Sequence, residues 1–87
     1  MAPAELRIAV RYFAGARAAA GTPDETVGMP AGSTLADLVA ELVRRHGPDL
    51  ARVLAASSFL VDEVASPPDR SLDGVTGVDV LPPFAGG

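Results

Sequence analysis

At 87 residues the chain is one domain's worth of sequence, and its 48% hydrophobic content suits a folded globule with one modest core. Seven basic against eleven acidic side chains leave a net charge of −4, which argues against nucleic acid or an anionic membrane surface as the main partner. With no cysteine, disulfides, thiolate metal sites and a cysteine nucleophile are excluded.

All seven basic residues are Arg, which removes the lysine of Schiff-base and P-loop chemistry and any internal ε-amine for isopeptide bonds. His46 is the single histidine and cannot alone build a metal site, so neither a metal nor a bound cofactor is expected. No apolar run approaches the roughly 20 residues of a membrane span, and no basic-then-apolar leader opens the sequence, so a soluble cytoplasmic protein is expected.

The elements follow in chain order. Leu6–Phe13 alternates, with Leu6, Ile8, Val10 and Tyr12 on one side and Arg7, Ala9, Arg11 and Phe13 on the other, the pattern of a half-buried strand. Ala14–Ala20 is alanine-rich and closed by Gly21, a short helical turn. Glu25–Met29 predicts a weak second strand. Thr34–His46 is the clearest helix: Thr34 and Asp37 stand in capping-box positions, Leu35, Leu38, Val39 and Leu42 form an apolar stripe, and Gly47-Pro48 stops it. Pro48–Ala56 predicts a second short helix, while Phe59–Val64 and Val78–Leu81 read as strands.

One long amphipathic helix must bury its stripe against the sheet. The expected fold is therefore α+β: a mixed sheet of four to five strands with one main helix on one face, the β-grasp (ubiquitin-like) arrangement over residues 1–81. If Val78 and Val80 face that helix, Asp79 and Leu81 face away. The outer sheet face would then carry Arg7, Arg11, Phe13, Asp79 and Leu81, mixing charge with apolar groups as a docking surface does.

Residues 82–87, Pro82-Pro83-Phe84-Ala85-Gly86-Gly87, are expected to project as a tail. The prolines remove two consecutive N–H donors and end the ladder of the last strand. Six extended residues span roughly 20 Å, enough to enter a partner's active site. Phe84 would be an apolar anchor, and the two glycines would let a carboxylate pass through a narrow channel. Such a carboxylate is a poor electrophile until ATP adenylates it; a sulfur source would then turn it into a thiocarboxylate, a good sulfur nucleophile. That chemistry needs no catalytic side chain on the carrier.

These features resemble the MoaD/ThiS family of ubiquitin-like sulfur carriers. The likeness covers nearly the whole length: Val10-Arg11-Tyr12-Phe13-Ala14, Arg17 and Gly21, Gly32-Ser33-Thr34-Leu35, Leu72, and Leu81-Pro82-Pro83-Phe84-Ala85-Gly86-Gly87. The Pro-Pro element before the diglycine is most similar to the MoaD branch, the small subunits of molybdopterin synthase. The resemblance implies that Gly87 is adenylated by an E1-like enzyme using ATP and then receives sulfur from a donor protein. Phe84, Ala85 and Gly86 would insert into the synthase large subunit, in a heterotetramer, and sulfur would pass to cyclic pyranopterin monophosphate. It also implies partner contacts by Phe13, Arg17, Leu81, Pro82 and Pro83, with the catalytic groups on the large subunit.

Two positions depart from the family pattern: Val75-Thr76-Gly77 stands where Gly-Asp-Glu is common, and Asp62 where Asn is usual. The alternatives are a related carrier for thiamine, cysteine or thiolated-RNA synthesis, or a ubiquitin-like modifier conjugated through Gly87. Elsewhere, His46 reads as a structural or solvated side chain in a helix's last turn, Asp62-Glu63 as a solvated turn, and Glu41 with Arg45 as an ordinary i, i+4 surface pair.

Overall fold

The structure, a computed structural model, describes residues 5–83. It contains β1 (Glu5–Tyr12), α1 (Ala14–Ala20), β2 (Asp24–Pro30), α2 (Leu35–His46), α3 (Pro48–Ala55), β3 (Ser58–Val61), β4 (Val64–Ala65) and β5 (Gly77–Leu81). The five strands form one sheet in the order β2-β1-β5-β3-β4. Only the central pair, β1 and β5, is parallel; β1–β2, β3–β5 and β3–β4 are antiparallel. This is the mixed β-grasp sheet expected from the sequence.

Alternation decides what the sheet buries. Ile8, Val10 and Tyr12 of β1, Val27 and Met29 of β2, Val61 of β3 and Val78 and Val80 of β5 are all buried on the helix side. They join Leu35, Leu38 and Leu42 of α2 and Leu50 and Leu54 of α3 in one hydrophobic cluster. Leu72, from the long loop before β5, is fully buried in the same cluster. Burying each such side chain contributes about 1.5–3 kcal/mol, which makes this cluster the main source of stability.

α2 is the best-specified helix. Thr34 Oγ1 accepts from the Asp37 amide (3.3 Å), and the Asp37 carboxylate accepts from the Thr34 amide (2.9 Å), completing the capping box. The next orphan donors are met from outside: the Leu35 amide donates to the Arg70 carbonyl and the Ala36 amide to the Pro68 carbonyl, each at 2.9 Å. The irregular segment Ser66–Arg70 thus fastens the start of α2. Gly47, at φ +88°, ends α2 and leads directly into Pro48 at the first turn of α3.

The strand expected over Phe59–Val64 is corrected. Val61 pairs with Val64, so Asp62 and Glu63 form a two-residue hairpin loop that splits it into β3 and β4. Both loop residues lie in the left-handed region, at φ +46° and +69°, the backbone of a type I′ turn, which favours Asn-Gly. The turn read at Asp62-Glu63 is present, and it is the unbroken strand drawn through it that fails. Asp62 offsets the backbone cost by work outside the turn. Its carboxylate accepts from the amides of Thr76 (3.0 Å) and Gly77 (2.9 Å), and its own amide donates to the Gly77 carbonyl. Gly77 is favoured by close approach, since a Cβ there would lie 3.2 Å from the Ala9 carbonyl oxygen and press on that backbone.

A polar brace joins β1, β2 and α2. Glu25 accepts from the Tyr12 hydroxyl (2.6 Å) and from Arg45 (3.3 Å), and it meets His46 Nε2 at 2.5 Å. His46 also stands edge-on to the Tyr12 ring, with centroids 6.0 Å apart. Burial alone would disfavour ionised Glu25, but the donors Tyr12, His46 and Arg45 outweigh it and hold the carboxyl below its ordinary range. The Tyr12 hydroxyl is pushed far above its usual value, first by burial and then by its bond to Glu25. Arg45 and Arg44 both bond Glu41, whose carboxyl is lowered to about 2. His46 and Arg45 are therefore bracing groups, not merely a solvated face.

Two outcomes are expected. Because the folded-state pKa of Glu25 is depressed, its contribution is fully present above the ordinary carboxylate pKa and is lost as pH falls through the folded value. Glu25→Gln should cost on the order of 2 kcal/mol at pH 7 by chemical denaturation, with the gap to wild type closing below pH 4. Glu63→Gly should raise the melting temperature by relieving about 1 kcal/mol of left-handed strain, whereas Glu63→Val should lower it.

Candidate functional site

The parallel pairing of β1 with β5 decides where the site lies. Tyr12 is in register with Val80, so the residues that follow both strands emerge side by side at one rim of the sheet. The Phe13 amide donates to the Val80 carbonyl (3.3 Å), fastening the two chain ends together. Beyond Leu81, Pro82 and Pro83 cannot donate to a ladder, and β5 stops at Leu81. On the other branch, Ala14 takes φ +50° and turns the chain sharply into α1. Phe13, just before this left-handed alanine, is 41% exposed.

Between these two branches is a groove of about 680 Å³. Phe13, Ala14 and Gly15 form one wall, Leu81, Pro82 and Pro83 another, and Val53 and Ala56 from α3 and its end form the third. Every lining side chain is apolar. The ring of Phe13 is also approached by the Arg11 guanidinium, 5.8 Å from its centroid, a cation–π contact that holds it at the rim.

The outer sheet face has the predicted parity. Arg11 lies opposite Asp79 across β1–β5, and the pair is bidentate: Nε to Oδ1 at 2.7 Å and a terminal nitrogen to Oδ2 at 2.9 Å. The bonds to Asp79 raise the Arg11 pKa further, so this cation is permanent. Asp79 is only 9% exposed. The Arg11 and Asp79 charges are thus neutralised within the chain, while Arg7 on the same face is exposed. Leu60 of β3, opposite Asp79, adds a half-buried apolar group that the strand assignment had not placed there.

The structure brings Phe13, Leu81, Pro82 and Pro83 together in one groove. Arg17 lies on α1, exposed, outside the lining of that groove and without an ion pair among the described residues. Phe84, Ala85, Gly86 and Gly87 lie outside the described residues. Val53, Ala56 and the left-handed Ala14 were not foreseen. Val53 did carry a signal, as part of the Leu50, Val53, Leu54 stripe, but a stripe does not say which of its members reaches an edge. Among the described residues no cluster of His, Asp and Glu is arranged to hold a metal ion, and no helix is long and apolar enough to cross a membrane.

What this arrangement can do chemically is limited. No nucleophile with an adjacent base lines the groove, so it can bind an apolar surface and direct the chain that leaves from Pro83. Phe13→Asp should therefore leave the melting temperature within about 2 °C of wild type, whereas Val80→Asp, on the buried side of the same rim, should prevent folding. Thermal denaturation followed by circular dichroism reads both.

Solved structures similar to this one share its architecture. The crystal structure of SAMP1 from Haloferax volcanii superimposes with a TM-score of 0.81 at 22% identity, covering 93% of this chain and 99% of its own. The solution structure of the small archaeal modifier protein 1 from Methanosarcina acetivorans gives 0.78 at 22% identity, with 97% and 99% covered. A candidate molybdopterin converting factor, subunit 1, from Pyrococcus furiosus gives 0.73 at 22% identity, with 91% and 99% covered. At such identities the likeness establishes the fold, and no curated protein matches the sequence significantly. The ThiS family model matches residues 10–87, from the middle of β1 through the diglycine, and on that span the chain belongs to the ThiS family.

Proposed function

We propose that this chain is the sulfur-carrying small subunit of a molybdopterin synthase. The observation that carries the reading is the sequence Leu81-Pro82-Pro83-Phe84-Ala85-Gly86-Gly87, whose first three residues end a central strand and line the apolar groove with Phe13. The Gly87 carboxylate attacks the α-phosphate of ATP on an E1-like enzyme, giving a glycyl adenylate and pyrophosphate. Sulfide from a donor protein displaces AMP, leaving a thiocarboxylate. The tail then enters the large subunit, and sulfur is delivered to cyclic pyranopterin monophosphate. The groove supplies docking affinity, Phe84 anchors the tail, and the chemistry belongs to groups on the partners.

A second reading is favoured by two of the similar structures: SAMP1 from Haloferax volcanii and the small archaeal modifier protein 1 from Methanosarcina acetivorans share this chain's fold at TM-scores of 0.81 and 0.78. In that reading the same adenylate is passed to a lysine amine of a target. The two readings share their first step and differ in who receives the acyl group.

Incubation with ATP, the E1-like enzyme and a sulfur donor should replace one terminal oxygen by sulfur in the intact mass. The product, mixed with the synthase large subunit, should convert the pyranopterin precursor. Phe13→Asp should weaken binding to that subunit at least about tenfold, the loss typical of a central apolar anchor. Deleting Gly87, or extending the chain beyond it, should abolish sulfur transfer without altering the melting temperature. Transfer that survives an extension would overturn the mechanism, and branched peptides bearing Gly86-Gly87 on target lysines would establish the second reading.

A further inference from the structure

An activated carboxyl on a tethered tail faces a hazard: the nearest amine is the carrier's own. An acyl adenylate and an amine give an amide and AMP, with a proton released to solvent, and tethering raises the local amine concentration enough to make the side reaction fast. From Pro83, four residues reach at most about 14 Å, which brings the carrier's own surface within range.

Apart from the N-terminal amine, which lies outside the described residues, the side chains of this chain offer neither an amine nor a thiol as acceptor. All seven basic side chains are Arg, and a guanidinium stays protonated and non-nucleophilic at any physiological pH. There is no thiol. The single imidazole, His46, is only 18% exposed in its side chain, and its Nε2 is held against Glu25. Hydroxyls stay protonated at neutral pH and are weak acceptors, and those of Tyr12, Thr22, Ser33, Ser57 and Ser66 are also engaged in donating to a carboxylate or backbone carbonyl.

Resting on the reading that Gly87 becomes activated, we propose that the lysine-free sequence and the sequestered His46 leave this chain no side chain able to accept its own acyl group. Activated Gly87 is then not lost to cyclisation onto a side chain, nor to side-chain conjugation between copies. The same property bars lysine-linked chains built from this protein, whichever machinery activates it.

The test makes the activated state without the enzyme. The full chain, carrying a Gly87 thioester of mercaptoethanesulfonate and an acetylated N-terminal amine, is held at pH 8 and followed by intact mass and denaturing gel. Wild type should decay only by hydrolysis to the free carboxylate. Arg17→Lys, on the helix whose first turn lines the groove, and Arg52→Lys, beside Val53, should each divert at least about tenfold more material into adducts. A lactam appears as a product one water lighter than the carboxylate, and conjugation as a covalent dimer. Equal adduct formation by wild type would overturn the proposal by revealing an acceptor on the native surface. Adducts missing from both lysine variants would also overturn it, since loss of lysine would then protect nothing. Failure of the E1-like enzyme to adenylate Gly87 would instead count against the proposed function and leave the thioester result unaffected.

Discussion

The fold depends on one pairing, that of β1 with β5. They are neighbours at the centre of the sheet yet belong to opposite ends of the chain, Arg11 facing Asp79 across a separation of 68 residues. A parallel pair cannot be closed by a hairpin, so all the intervening elements serve as its crossover. Such distant contacts are paid for in chain entropy before they return any stability. What returns it is burial on one face, through Val10, Tyr12, Val78 and Val80, and the bidentate Arg11–Asp79 pair on the other. Gly77 lets the strands approach at the start of the pair, and the Asp62 carboxylate fixes that start by holding two consecutive amides. A one-residue slip would turn Asp79 into the core and Val78 and Val80 to solvent, so the register is strongly specified. The register in turn sets Phe13 beside Leu81.

The Glu25 brace acts on the same rim from below. Tyr12 precedes Phe13, and its hydroxyl is bound to a carboxylate that also takes His46 and Arg45 from the last turn of α2. The long helix is thereby locked to β1 at the end where Phe13 emerges. A half-buried carboxylate is an expensive choice unless it is well supplied with donors, and here three side chains from two elements supply them. The consequence is a stiff base under a solvent-exposed ring, which lets Phe13 present its apolar surface without first paying to be ordered.

Much of this was legible in the residues because local signals and long-range packing agreed. The capping box of Thr34 and Asp37, the leucine stripe of α2 and the alternation of β1 each have one physical solution, and the structure adopts it. The outer-face parity of Phe13, Asp79 and Leu81 followed from the period of a strand alone. The hairpin at Asp62-Glu63 was half legible: the two charges read as a solvated turn, but the backbone calls for Asn-Gly, and Asp62 is retained for bonds to Thr76 and Gly77, 14 and 15 residues away. The Glu25 brace was illegible for a related reason: i, i+4 spacing reveals Glu41 and Arg45 but not a carboxylate 20 residues earlier on a neighbouring strand. Val53 and Ala56 reach the groove only because α3 packs beside α1, a contact that no sequence period encodes.

If the reacting group is the Gly87 carboxyl, the chemistry that first activates it is common to every receiver considered, so the carrier's body must choose its partner by surface. The charged pair on the outer face is satisfied internally, which removes a ready source of affinity for a foreign carboxylate or cation. Affinity then falls to the apolar groove, whose walls come from three separate parts of the chain. Partner choice on such a surface is set by shape at Phe13, Val53 and Leu81 more than by pairing of charges. Two carriers with the same tail but different residues at those three positions would accordingly share an activating reaction and part company at the receiver, which makes the groove, and not the diglycine, the place where pathways diverge.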